Sequence, residues 1–135
     1  MCVFCKIVNG DIPSHKIYED DDFIAILDIA QSTIGHALII TKKHYDNVFA
    51  LPEETAGKLG ALAVKLANHI NGVLGAGNMN LLNNAGPLAG QTVNHFHLHL
   101  IPRYENDGMI IKFDNNKLTE AEFNDLRAKL EITKK

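Results

Sequence analysis

His95-Phe96-His97-Leu98-His99-Leu100-Ile101 alternates imidazole and apolar side chains without a break. Successive side chains of an extended strand point to opposite faces. The stretch therefore predicts Phe96, Leu98 and Leu100 on a core face and His95, His97 and His99 on the other. Polar alternation of this kind also occurs on a solvated strand, because an antiparallel sheet tolerates one wet face. A row of imidazoles can equally share the work of a reactive site, where one attacks and others orient it or hydrogen-bond the substrate. One metal held by all three is disfavoured by distance. Same-face positions i and i+4 lie about 13 Å apart on a strand, whereas each nitrogen ligand sits about 2 Å from zinc.

Just upstream, Gly86-Pro87-Leu88-Ala89-Gly90-Gln91-Thr92 falls one residue short of a Walker loop and has Gln91 where lysine is required. It is not a P-loop. Its backbone N–H groups and the Thr92 hydroxyl suit a phosphate cradle beside the histidine row, although such a loop is also an ordinary turn.

Further out, Ile17–Glu19, Phe23–Asp28, His36–Thr41, Asn78–Asn83 and Val93–Pro102 read as strands. Pro52 suits a first helical position, and Glu53-Glu54 suit the positive end of a helix dipole. Leu59, Leu62, Leu66, Ile70 and Val73 recur at helical spacing through Leu74, and Gly75 and Gly77 stop the run. A short helix over Thr119–Leu130 opens on a capping box, Thr119 with Glu122. Short connections favour antiparallel neighbours. The prediction is one α+β domain over residues 1–135, an antiparallel sheet with the long helix on one face.

The chain has 135 residues, 46% apolar and 21% charged, with a net charge of −3. No basic footprint for nucleic acid is expected, so a phosphate ligand has to be held by local geometry. No apolar run is long enough for a membrane span, and the first residues lack a signal-peptide pattern, so a cytoplasmic protein is expected. Cys2 and Cys5 are too close together to staple a fold. They read as reduced thiols, free or on a metal.

The segment Gly90 to Arg103 resembles the signature His-φ-His-φ-His-φ-φ of the histidine-triad (HIT) nucleotide-binding proteins. Phe4-Cys5-Lys6-Ile7, Ile12-Pro13, Tyr18 to Asp21, Phe23 to Asp28, Gly35 to Ile40 and Lys42-Lys43-His44 resemble the N-terminal half of that family. The resemblance implies a five-stranded antiparallel sheet with one long helix and a short C-terminal helix, in a homodimer. It implies a hydrolase that cleaves purine nucleotides at the α-phosphorus through a nucleotidyl-histidine on His97. His95, His99 and Thr92 complete the catalytic group. His36, Asn84, Gly90 and Gln91 would lie on the phosphate side, Asp28 would take the ribose hydroxyls, and Phe4, Ile7 and Ile29 would line a base slot. Asn84 is similar to the phosphoramidase-like branch. Gln91-Thr92-Val93 and Pro102-Arg103 are similar to the branch that cleaves dinucleoside polyphosphates, so both substrate classes stay open. The resemblance also implies a structural zinc ion, Zn2+, on Cys2, Cys5, His44 and His95. The alternative is a nucleotide-binding or scaffold protein with weak catalysis.

Overall fold

The structure is a computed structural model that describes residues 2–132. Five strands form one antiparallel sheet: β1 (Lys16–Glu19), β2 (Phe23–Leu27), β3 (Ala37–Thr41), β4 (Met79–Leu82) and β5 (His97–Pro102). Their spatial order is β1-β2-β3-β5-β4. Helix α1 (Val3–Val8) precedes the sheet, α2 (Glu53–Leu74) connects β3 to β4, and α3 (Glu120–Leu130) ends the described chain. The expected α+β fold with one long and one short helix is present.

The sheet divides two cores between its faces. On one face, Leu59, Leu62, Leu66 and Ile70 of α2 pack on Phe23, Ala25, Ala37, Ile39, Phe96 and Leu100, with Leu98 against them. This is the apolar half of the histidine alternation, and α2 covers it. On the other face, Phe4 of α1 packs with Ile24, Ile26, Leu38 and Ile40, with Ile7, Val8 and Val93 against them. Strand β3 is buried along its whole length because both of its faces are covered.

Most element ends differ from the sequence reading by a residue, and two of the differences have a clear local reason. Pro52 is the N-cap of α2 rather than its first helical residue, since its backbone is extended at ψ 144°. Strand β5 begins at His97, four residues later than expected from Val93. Before it, the Phe96 N–H donates to the Tyr45 carbonyl at 2.7 Å and the His95 N–H donates to the Val93 carbonyl at 2.9 Å, so 93–96 turns aside from the ladder. His95 is therefore not on the strand that carries His97 and His99. At the other end, Gly75 closes α2 in the left-handed region at φ 67°, where its N–H donates to Asn71 O.

Candidate active site

The register of β3 against β5 sets Ile40 beside His97 and Leu38 beside His99. Both imidazoles line a cavity of about 440 Å³ on the α1 side of the sheet, together with Phe4, Ile7, Asp28, Ile29, Thr92 and Val93. Seven residues that the sequence singled out, from Phe4 to His99, thus meet in one pocket.

Each ring has a distinct hydrogen-bond assignment. His97 Nδ1 lies 2.8 Å from the His95 carbonyl oxygen. A carbonyl only accepts, so Nδ1 carries the proton and Nε2 keeps its lone pair. The edge of the Phe4 ring packs on the His97 ring at 4.9 Å between centroids. Burial and the neighbouring His97 and His36 push the His99 pKa down to about 4. Burial also lowers that of His97, against the opposing pull of the His95 carbonyl and Asp28. Both are neutral bases near pH 7.

His36 is buried and sits behind His99, with Nε2 2.8 Å from His99 Nδ1. Its own Nδ1 faces the Ser32 N–H at 3.3 Å, which donates to it. The proton of neutral His36 is then on Nε2, from which it donates to His99 Nδ1, and His99 carries its remaining proton on Nε2. The pocket thereby presents a lone pair on His97 beside a ring, His99, whose Nε2–H is a donor. Asp28 Oδ1 accepts the Ala30 N–H at 2.8 Å, and its Oδ2 lies 3.6 Å from His36 Nε2.

Three expected positions fall elsewhere. Gln91 is turned inward as a brace: its Oε1 accepts the Gly86 N–H, and its Nε2 donates to the carbonyls of Asp46 and Val93. The side chain of Asn84 lies over Gly90, whose φ of 96° shapes the end of the loop. Neither Gly90 nor Asn84 is among the residues lining the pocket. The neighbouring Asn83, which the sequence reading passed over, donates from Nδ2 to the His97 carbonyl at 2.8 Å. Two adjacent asparagines at a strand end offer no sequence signal to separate them.

A second constellation lies on the other side of Phe4. Cys2 Sγ is 3.3 Å and 3.6 Å from the Nδ1 atoms of His95 and His44, and Cys5 Sγ is 3.4 Å and 3.3 Å from the same atoms. The two Nδ1 atoms are 3.1 Å apart. Donors in a tetrahedral zinc site stand about 3.3–3.8 Å from one another, as bond lengths near 2.0–2.3 Å require. The outer nitrogens are occupied as well. His44 Nε2 faces Asp46 Oδ1 at 2.8 Å, and His95 Nε2 donates to the Thr41 carbonyl at 2.7 Å. Such partners hold the proton on Nε2 and turn both Nδ1 lone pairs inward. Two lone pairs facing each other at this range repel unless a metal ion or a proton lies between them, and with two thiols at the same spacing the donor set fits a metal ion. With both its nitrogens engaged here, the side chain of His95 contributes to this cluster and not to the pocket.

Residues 9–106 match the family model of the HIT domain. The chain is 47% identical over 108 residues to Protein hit of Bacillus subtilis, covering 79% of this chain and 74% of that one. It is 42% identical over 102 residues to the adenosine 5'-monophosphoramidase hnt1 of Schizosaccharomyces pombe, covering 76% and 74%. Among solved structures, a HIT family protein from Bacillus anthracis superposes with a TM-score of 0.90 at 45% identity, over 96% of this chain and 94% of that one. A Zn-bound histidine triad family protein from Mycobacterium smegmatis superposes with a TM-score of 0.76 at 40% identity, over 94% and 91%. With the alternating histidines, the five-stranded sheet and the pocket between α1 and β5 all in place, the chain belongs to the HIT domain family.

Proposed function

We propose that this protein hydrolyses purine nucleotides at the α-phosphorus through a covalent intermediate on His97. The observation that carries the reading is the tautomer of His97: its proton is tied to the His95 carbonyl, and its free Nε2 belongs to a ring that lines the pocket. A neutral imidazole attacks without a separate base. The Nε2–P bond forms as the bond from phosphorus to the leaving group breaks. Water then attacks the same phosphorus, which releases the nucleoside monophosphate and restores the ring. The His99 Nε2–H and the Thr92 hydroxyl supply hydrogen bonds to the phosphate oxygens as charge develops. Asp28 is a fit for the ribose hydroxyls, since a carboxylate accepts from both at once. Phe4, Ile7 and Ile29 suit a flat base.

The kinship with an adenosine 5'-monophosphoramidase supports an adenylyl group on a nitrogen leaving group as substrate. Dinucleoside polyphosphates are the second class to be tried. Zinc on Cys2, Cys5, His44 and His95 would be structural, because four protein ligands leave no open position. Such thiols stay reduced in a cytosolic setting. Among the described residues no helix is long and apolar enough to cross a membrane.

The test is to quench the enzyme during turnover of an adenosine phosphoramidate labelled at phosphorus. Acid-labile label is expected on His97, and His97→Ala is expected to lose turnover by about 10⁴-fold or more, the scale seen on removing a catalytic nucleophile. No adduct together with a wild-type rate in His97→Ala would leave binding alone as the function.

A further inference from the structure

We propose that metal binding at the Cys2–Cys5–His44–His95 cluster and nucleotide binding in the pocket are coupled, with α1 carrying the coupling and Phe4 positioning His97. The proposal rests on the nucleotide reading above. Its first observation is that one short helix serves both sites. The N-cap Cys2 and Cys5 give their thiols to the cluster, while Val3, Phe4 and Ile7 line the pocket. A helix of six residues does not hold itself together in water, where isolated helices below about 12–15 residues are marginal. Its place is therefore set by what it docks on. Its described main-chain hydrogen bonds stay within residues 2–12, and its thiols reach His44 and His95 on the main body.

The second observation is that the cluster touches His97 along two lines. Phe4 stands between the sites, with its ring edge-on to His95 at 6.0 Å and to His97 at 4.9 Å. His95 itself supplies a ring to the cluster and its carbonyl to His97 Nδ1. A third line runs to the loop. The outer partner of His44 is Asp46, whose carbonyl accepts from Gln91, the brace of the segment that bears Thr92. Without a metal ion the two thiols are tied to the two Nδ1 atoms by single hydrogen bonds alone, and Cys2 and Cys5 hold α1 less firmly. Phe4, held then chiefly by its packing on Ile24, Ile26, Leu38 and Ile40, pins the His97 ring less closely. Metal and nucleotide should thus favour each other.

Coupled sites commonly change each other's affinity by about 5–150-fold, and the factor is the same in both directions. Calorimetry with AMP on zinc-loaded and chelator-stripped protein is expected to show AMP binding about tenfold weaker without zinc, within that range. AMP should tighten zinc by the same factor. Phe4→Leu should keep its zinc but shrink the coupling to within about twofold, below the usual range. A second readout needs no nucleotide: the ring signals of His97 in a protein labelled at histidine should shift on adding zinc alone. Equal AMP affinity with and without zinc overturns the coupling, and full coupling in Phe4→Leu overturns the role of Phe4. If AMP binds neither form, the nucleotide reading fails, and the ring signals decide whether the cluster still governs His97: a shift upholds that link, and unmoved signals remove it.

Discussion

The three alternating histidines differ most in what holds each second nitrogen. His97 gives Nδ1–H to a carbonyl, His99 accepts a hydrogen bond from His36, and His95 turns Nδ1 to the cluster and Nε2–H to the Thr41 carbonyl. Because His97 and His99 both titrate below the ordinary value of about 6.5, the acid limb of kcat/KM should fall below that value. As the proposed nucleophile, His97 would work unprotonated, so activity should be lost as pH drops through the lowered pKa and not before. A limb at or above 6.5 would detach the profile from these rings. The same depression acts on stability. Between the unfolded value of about 6.5 and the folded value of about 4, the unfolded chain binds more protons at His99 than the native one. Stability is fully present above that window and declines as pH falls through it, so the melting temperature should be lower at pH 5 than at pH 7. Asn83 gives a third test at this scale. Asn83→Ala removes the bond to the His97 carbonyl at the start of β5. It should lower kcat by about tenfold, the effect of losing about 1.4 kcal/mol of positioning, with KM little changed. Asn84→Ala should do less, and the reverse order would restore Asn84 to the site.

Among the elements, those with a strong period were legible in the sequence and those set by tertiary contacts were not. Helix α2 was readable because Leu59, Leu62, Leu66 and Ile70 repeat on one face, and these are the residues that bury against the sheet. Strand β3 was readable as a β-branched apolar run, and β2 as a strand of mixed burial, although Phe23 to Ile26 are all buried. The start of β5 was not, because the alternation continues through His95 and Phe96 while the backbone has already left the ladder for Tyr45. The alternation therefore groups His95 with His97 and His99, whereas the structure turns its ring to Cys2, Cys5 and His44. Its place in that cluster was readable only from family resemblance, since Cys2 and His95 are brought together by folding. Burial of the α2 face makes its cost calculable. Leu66 is 4% exposed in the centre of that core, and Leu66→Ala should destabilise by about 2–5 kcal/mol. A denaturant midpoint shifted by less than 1 kcal/mol equivalent would mean that α2 does not depend on this face.

For the whole molecule, one long segment of the described chain stands out for its exposed apolar side chains. Every residue from Ile110 to Ile132 is exposed, although Ile110, Phe113, Phe123, Leu126 and Leu130 are apolar. Helix α3 has its capping box but buries no residue. The arm leaves the body from a fixed point. Arg103 is held by Asp107 at 2.8 Å and by Asn80 at 2.8 Å, and it also donates to the Met109 carbonyl. Asn80 lies on β4, the last strand of the sheet, with Leu81 half exposed on it. An edge strand and an apolar arm rooted at the same corner are the means by which a second copy would be engaged, and we propose a homodimer on that basis. Sedimentation at micromolar concentration should give twice the chain mass. The origin of that mass is separable by a chain ending at Met109, which keeps the carbonyl that Arg103 holds. Since no described residue of the arm beyond Met109 is buried, the truncated chain should keep the circular dichroism of the sheet and α2 and the melting temperature of a dilute monomer. What it should lose is the rise in melting temperature with protein concentration that dimerisation confers by mass action. A truncated chain that melts lower at every concentration by the same amount would show instead that the arm folds back on its own subunit, and the arm would then have no part in the dimer.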